Sequence, residues 1–387
     1  MNNTKVTSVF IVAGEASGDM HAANLIYDLR KLRPKLEVDA MGGQALRKTG
    51  ANIIVDNSDL AVVGLVEVIS HYPVIRKALK TLQQRLVTHQ PDLLILVDYV
   101  EFNLRLAKAA KKLGIKVLFY ISPQVWAWRP KRVKKIGKLI DMMAVIFPFE
   151  AEFYHQHNIP VRYVGNPLLG KVHASRSRAD NLRHFNLAKD SAIIGLQPGS
   201  RRSEIQRLLP LFIEAATRLK KRRPKLEFVL PLAPGIDADS IRSQLPDDHC
   251  IKLIENESPY DVMQVCTAII TASGTATLET ALMEIPMVMA YRIAPVSYAI
   301  LKRLVKIPHI GLVNIVAEQE VVKEFIQHEA TPLALEQEIM KLLDDEVYRQ
   351  TMIGQLKAVK EKLDDRQGVD IARVAAELLP SELPTSN

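Results

Sequence analysis

Short apolar runs, each closed by a small, polar or acidic residue and followed by helical periodicity, recur along most of this chain. Ser8–Gly14, Glu37–Met41, Leu93–Val97, Val117–Ile121, Met142–Phe147 and Val161–Val164 form a first series. Ala192–Gln197, Glu227–Leu232, Ile251–Ile254, Ala268–Ala272 and Met287–Tyr291 form a second. Strands that alternate with helices point to a parallel sheet, because a parallel neighbour needs a crossover and a helix supplies it. Leu93–Val97 is apolar on both faces, as a central strand of such a sheet should be. His21–Leu32, Phe102–Leu113 and Lys131–Leu139 carry helical patterns between the strands, and from Thr331 the chain is helical to about Leu379. At 387 residues the chain exceeds one comfortable core. The Pro- and Gly-bearing stretch Val164–Gly170 separates the two series. The expected fold is therefore α/β, with two Rossmann-like domains facing a cleft at residues 1–167 and 168–345. Helices at residues 346–387 would bridge back to the first domain or to a partner subunit.

In open parallel sheets ligands bind beyond the carboxyl ends of the strands, so the turns there matter most. Thr271–Glu279 runs from an apolar strand through Ser273-Gly274-Thr275 into a helix. The first N–H groups of a helix lack intrahelical partners and the helix dipole adds positive potential, so a phosphate can dock where Gly274 lets the backbone come close. Glu279, one turn on, is placed to accept hydrogen bonds from a ribose diol. The plainer reading is a helix capped by Ser273. Gln197-Pro198-Gly199-Ser200-Arg201 repeats the strand, glycine turn and helix, with an arginine suited to multidentate phosphate contact. In the first half, Gly14-Glu15-Ala16-Ser17-Gly18-Asp19 follows a strand, and its glycines do not match the dinucleotide fingerprint. Ser17 or Asp19 could simply cap the helix that follows. Asp98 arrives at the end of Leu93–Val97, either as a general base or as another helix cap.

The net charge of +8 favours an anionic partner without choosing among nucleotide, nucleic acid and lipid. Leu60–Ile75 is too apolar for an ordinary amphipathic helix; Val62, Val63, Leu65, Val66, Val68, Ile69 and Tyr72 are either buried or offered to acyl chains or a membrane. Ile75, Leu79, Leu82 and Leu86 follow at helical spacing and read as core. Both tryptophans, Trp126 and Trp128, stand beside the densest basic run, which suits single-stranded nucleic acid, anionic lipid or a solvated helix face. Asp237-Ala238-Asp239 has a metal-binding spacing but reads better as a helix start, and His155 and His157 lack further ligands. Cys250 and Cys266 form no disulfide framework, which points to a cytosolic compartment. No stretch approaches the apolar length of a spanning helix.

Together these residues make the chain resemble the lipid A disaccharide synthases over nearly its whole length. The resemblance is carried by Ala13–Asp19, Met41-Gly42-Gly43, Gly64–Val68, Asp98 with Phe102-Asn103-Leu104, Ser122–Arg129, Pro148-Phe149-Glu150, Pro198–Arg201 and Ala272–Glu279. It implies an inverting glycosyltransferase of the B fold. UDP-2,3-diacylglucosamine and 2,3-diacylglucosamine 1-phosphate (lipid X) would give UDP and a β-1,6-linked lipid A disaccharide 1-phosphate, in lipopolysaccharide synthesis. Asp98 and Arg201 would be catalytic. Gly199, Ser200, Arg201, Ser273, Gly274, Thr275, Glu279 and Asn314 would face the UDP-sugar, and Glu15, Ser17, Gly18 and Asp19 the acceptor. The apolar residues between Val62 and Tyr72 would then meet acyl chains or membrane. The resemblance implies no metal, no organic cofactor and no nucleic-acid partner. It also implies a cytoplasmic protein held peripherally on the inner leaflet of the inner membrane, and a homodimer.

The chain departs from the family pattern at three places. Tyr99-Val100-Glu101 stands where Ala-Pro-Asp is usual after the base, Asn166 where a histidine precedes Pro167, and Val313 where a proline precedes Asn314. A related B-fold UDP-GlcNAc transferase or epimerase would explain the Ser273-Gly274-Thr275 turn and Arg201, but not Ser122–Arg129. A nucleic-acid-binding module would explain the charge and the tryptophans alone.

Overall fold

The computed structural model describes residues 6–60, 72–128, 130–233, 235–295, 298–299, 302, 307–364 and 368–381. The chain divides into two compact units, Met1–Pro167 with Asp365–Asn387, and Leu168–Asp364.

The first unit holds β1 (Ser8–Ala13), β2 (Glu37–Gly42), β3 (Asn52–Asp56), β4 (Leu93–Val97), β5 (Lys116–Tyr120), β6 (Met142–Val145) and β7 (Val161–Tyr163). They form one parallel sheet in the order β3-β2-β1-β4-β5-β6-β7. Side chains alternate across a strand, so the sheet residues divide between two cores. Phe10, Val12, Leu94, Leu96, Val117 and Phe119 pack with Leu82, Leu86, Leu106 and Tyr154. Val9, Ile11, Ala13, Leu93, Ile95 and Val97 pack with Leu25, Ile26 and Leu29 of the helix Ala16–Leu32 and with Val374 and Ala375 of the last helix, Ile371–Leu378. The C-terminal helix is thus part of the first unit's core, and the Val369 N–H bonds the Tyr163 carbonyl at 3.0 Å on the way in. The preceding helix, Glu346–Leu363, lies in the second unit.

The second unit holds β8 (Ile193–Gln197), β9 (Glu227–Pro231), β10 (Ile251–Ile254), β11 (Ala268–Ala272), β12 (Met287–Tyr291) and β13 (Glu324–Ile326), all parallel, in the order β10-β9-β8-β11-β12-β13. In both sheets the order reverses at one place: between β1 and β4, and between β8 and β11. There the crossovers leave in opposite directions, and the carboxyl ends of two neighbouring strands open into a crevice.

Two edge strands, β3 and β13, are not among the runs read from the sequence; both are partly exposed. Lys131–Leu139 is not one helix but a 3-10 turn at Pro130–Arg132 followed by the helix Val133–Gly137. Leu82 and Leu86 are fully buried, with Ile75 and Leu79 packed against the same core, as their spacing requires. The apolar candidates Val62, Val63, Leu65, Val66, Val68 and Ile69 lie outside the described residues, as does the Tyr72 side chain. Among the described residues no helix is long and apolar enough to cross a membrane.

Val374 is fully buried in the shared core. Val374→Ala should therefore lower the stability of the first unit by on the order of 2 kcal/mol. The urea midpoint reads this; an unchanged midpoint would mean the last helix is not part of that core.

Candidate active site

At the switch point of the first sheet, β1 ends in Gly14-Glu15 and β4 ends in Asp98-Tyr99. Asp98, Tyr99 and Ile121 have φ of 47°, 42° and 66°, the left-handed region that side chains usually avoid. Three such residues at the ends of adjacent strands β4 and β5 mark strain held by the surrounding fold. What holds it can be named. The Asp98 N–H donates to the Tyr120 carbonyl at 3.0 Å, and the Asn103 side-chain amide donates to the Val97 and Asp98 carbonyls at 3.2 and 2.7 Å. The Tyr99 ring lies so close to Gly14 that a Cβ there would stand 2.4 Å from it, and it packs on Phe102 with ring centroids 5.4 Å apart. Asp98 does not cap the helix Val100–Lys112: Tyr99 is the capping residue, without a side-chain cap. The half-buried Asp98 carboxyl is left for other work. Burial raises its pKa above the ordinary value, the charge of Glu15 raises it further, and the Tyr99 backbone N–H opposes both.

Glu15 and Ser17 are exposed at the start of the helix Ala16–Leu32, which no side chain caps. Gly18 is buried against Ala13 and Val97, each 3.7 Å from where its Cβ would be. Asp19 does something different from what its motif suggests. It is 4% exposed, its Oδ1 accepts from the N–H groups of Gly43 and Leu46 at 2.7 and 3.3 Å, and its Oδ2 accepts from that of Ala45 at 2.8 Å. Its carboxylate therefore ties the first helix to the start of the helix Gln44–Lys48, and no oxygen is left over to point at a ligand. This also accounts for Met41-Gly42-Gly43 in the motif set, since a Cβ on Gly42 or Gly43 would come within 2.7 and 3.0 Å of the Asp19 oxygens.

At the switch point of the second sheet, β8 ends in Gln197-Pro198-Gly199-Ser200-Arg201 and β11 in Ser273-Gly274-Thr275. Gly199 has φ 114°, and a Cβ on it would lie 2.5 Å from a Glu204 carboxylate oxygen. No other residue fits there. Glu204 accepts from the Arg201 N–H at 3.4 Å and pairs with its guanidinium at 3.3 Å, closing the start of the helix Arg202–Arg222. The Arg201 side chain is 71% exposed, available to an incoming anion. Gly274 caps the helix Thr275–Leu282 at φ 139° with no side-chain cap. Ser273 is not the cap: its hydroxyl is directed at the Ile310 carbonyl, 3.4 Å away, and among the described residues no side chain caps the start of this helix.

Glu279 is half-buried and its pKa is raised by that burial. The Tyr260 hydroxyl donates to its Oε1 at 3.0 Å, which leaves Oε2 for a further partner. Tyr260 is a residue the sequence pattern does not single out; it lies on a different helix, Pro259–Val265. Asn314 is fully buried. Its amide donates to the Val322 carbonyl and to Glu324, both at 2.8 Å, and its oxygen accepts from the N–H groups of Val321 and Val322 at 2.8 and 3.0 Å. An asparagine has two donors and one oxygen to offer, and all are spent. These bonds pin the helix Leu312–Ala317 to the approach to β13. Asp237 and Asp239 are likewise local, the first capping its helix through the Ser240 N–H at 3.1 Å and the second pairing with Arg242 at 2.7 Å.

Residues 9–375 match the family model described as lipid-A-disaccharide synthetase. The lipid-A-disaccharide synthase of Geobacter metallireducens is 49% identical over 355 residues, 92% of each chain. Among solved structures, UDP-GlcNAc 2-epimerase from Neisseria meningitidis bound to UDP-GlcNAc superposes with a TM-score of 0.63 at 14% identity, covering 96% of this chain and 99% of that one. The glycotransferase of kitacinnamycin gives 0.63 at 15%, covering 97% and 100%. At such identities these two establish the fold alone, that of the B-type glycosyltransferases and epimerases.

Asn314→Ala should leave two buried N–H groups without an acceptor, at a cost of about 1–3 kcal/mol each at most. The expected outcome is a lower melting temperature. A variant that melts like the parent would contradict the structural role.

Proposed function

The chain belongs to the lipid-A-disaccharide synthetase family and is a glycosyltransferase of lipid A disaccharide synthesis, and from that premise we propose its substrates and the work of its residues. The donor is UDP-2,3-diacylglucosamine and the acceptor 2,3-diacylglucosamine 1-phosphate. The observation that carries the assignment is the placement of Asp98 at the first switch point and of Arg201 with the open Thr275 helix start at the second.

Asp98 takes the proton from the acceptor 6-hydroxyl as its oxygen attacks the anomeric carbon, and the bond to UDP breaks with inversion. Its support is a half-buried carboxyl at a strand end with, among the described residues, no ion pair and no capping duty. Arg201, the Gly199–Ser200 backbone and the N–H groups following Gly274 stabilise charge on the departing diphosphate, electrostatic work that is strongest in a low-dielectric site. Glu279, oriented by Tyr260, holds the ribose. Glu15 and Ser17 face the acceptor, with Gly18 letting the helix start close and Asp19 acting as a positioning residue behind them. The surface Val62–Tyr72 meets the acyl chains or the membrane, and the protein works peripherally on the cytoplasmic side of the inner membrane, as a homodimer. Asn314 serves the UDP-sugar side through the helix Leu312–Ala317 that it pins.

UDP release is the decisive measurement, made in detergent with EDTA, with both acylated substrates and with each alone. Release that requires the pair supports the proposal. Release or epimerisation from unacylated UDP-GlcNAc, with none from the acylated pair, would replace it. Asp98→Asn should abolish transfer while leaving UDP binding intact, and Arg201→Ala should weaken both.

The pH profile tests the base separately. Asp98 must be ionised to accept a proton, so activity rises as pH climbs through its raised pKa. Glu15 is one cause of the raise, after burial. Glu15→Gln should therefore move the acid limb of kcat, read at saturating acceptor, to lower pH; an unmoved limb would separate that limb from Asp98.

A further inference from the structure

The acceptor-side unit contains a buried acid that this mechanism does not use. Glu150 is 1% exposed on the helix Pro148–Gln156. Its Oε1 accepts from the Ser122 hydroxyl at 2.6 Å and the Trp126 indole N–H at 3.1 Å, and its Oε2 from the Phe147 N–H at 3.3 Å. Trp126 also packs edge-on against Phe149, with ring centroids 5.0 Å apart. Ser122 and Trp126 belong to the segment that leaves β5, the strand beside β4 and Asp98. That segment turns sharply at Ile121, one of the three left-handed residues at this edge. Further along, Arg132 pairs with Glu101, on the helix that starts behind Asp98, through two bonds of 2.5 and 3.0 Å. The Ser122–Arg132 segment is thus tied at one end to Glu150 and at the other to the Asp98 helix.

We propose that Glu150 is a positioning residue for the acceptor side: it seats the Ser122–Trp126 turn beside the Asp98 turn, and its protonation loosens that seat. The proposal rests on the reading of the Asp98 side as the acceptor side. The groups around Glu150 are Ser122, Trp126, the N–H groups of Ile146 and Phe147, and the Tyr154 hydroxyl; among the described residues no cation pairs with it. Burial pushes its pKa up to about 7, against the donors that hold it ionised. The ionised carboxylate satisfies Ser122, Trp126 and Phe147 together. A protonated one must turn an O–H toward an acceptor, and Tyr154 offers one. Its hydroxyl is buried beside Ser122 and Glu150. Ser122 and Trp126 both donate to Oε1, which still accepts when Oε2 carries the proton; protonation therefore loosens the seat by removing the charge assistance of those two bonds, while the Phe147 N–H loses its acceptor on Oε2.

The chain has two tryptophans, so W128F leaves Trp126 as the sole reporter of the seat. Its emission should shift with pH around neutrality in W128F and stay constant in W128F with E150Q, since glutamine keeps an acceptor oxygen but does not titrate. Kinetically, the parent's KM for the acceptor should rise as pH falls through about 7, and in E150Q this rise should be lost. The acceptor's own phosphate titrates near pH 6 in both enzymes, so the difference between the two profiles is the readout. E150A, which removes the acceptor oxygens, should raise that KM about tenfold on the alkaline side, where the parent's Glu150 is ionised, the loss of a hydrogen bond to a charged group. The KM for the UDP-sugar should not move in either variant.

A pH-invariant emission in W128F would overturn the proposal, as would identical acceptor profiles in parent and E150Q, or an effect on the donor KM instead. The functional reading fails differently. If the parent does not turn over the acylated pair, the positioning role falls with it, while the emission of Trp126 still titrates through Glu150.

Discussion

Everything in this protein depends on the strands of each sheet running the same way. Parallel pairing sends all carboxyl ends to one edge, and every connection must return across a face, which buries both faces and makes the strands nearly continuous in apolar residues. Backbone polarity and side-chain chemistry can then meet water only at the strand ends. The reversal of strand order between β1 and β4 and between β8 and β11 opens that edge at one place per sheet. Glu15, Asp98, Gly199, Arg201, Ser273 and Gly274 all belong to the four turns at those places. The chemistry is concentrated there because the topology leaves it nowhere else to go.

Polar side chains near these turns fall into two sorts, and hydrogen-bond accounting separates them. Asp19 and Asn314 are buried with their capacity spent on backbone or neighbouring side-chain groups. A buried donor left unpaired costs more than a surface one, so such residues hold loops in register and leave little for a ligand. Asp98, Arg201 and Glu279 differ in that, among the described residues, each keeps an oxygen or a guanidinium edge uncommitted. The distinction matters because motif membership does not make it: Asp19 sits in the same run as Glu15 and Ser17, and its part is to hold that run still.

The alternation of strand and helix, the boundary near Pro167 and the two glycine turns were legible in the sequence because each rests on local chemistry: apolar runs, helix-breaking residues and small residues at turns. Strands β3 and β13, both with a partly exposed apolar run, were not, although the other two edge strands, β7 and β10, were. The direction of a side chain was not legible either. Asn314 lies in a segment similar to the family's, yet whether its amide turns outward or toward Val321, Val322 and Glu324 depends on a strand ten residues away. Tyr260 and Glu150 act through partners 19 and 24 to 28 positions distant, so no local pattern announces what they hold.

The departure at Val100 shows how the geometry around Asp98 can persist when a motif residue changes. A proline at the first helical position fixes φ and costs no hydrogen bond, since that N–H has no intrahelical partner in any case. Val100 is that first position, so the helix can begin with valine by giving up some preorganisation of the turn. Tyr99 restores what is lost. Its ring is clamped between Gly14 and Phe102, and Asn103 holds the carbonyls on both sides of the Val97–Asp98 peptide. A smaller residue at position 99 would leave space over Gly14 and remove the packing that, together with the Asn103 bonds, holds the left-handed pair against its strain. In this chain, then, an aromatic side chain and a buried amide do the work of a proline, and the carboxyl of Asp98 stays aimed from the strand end.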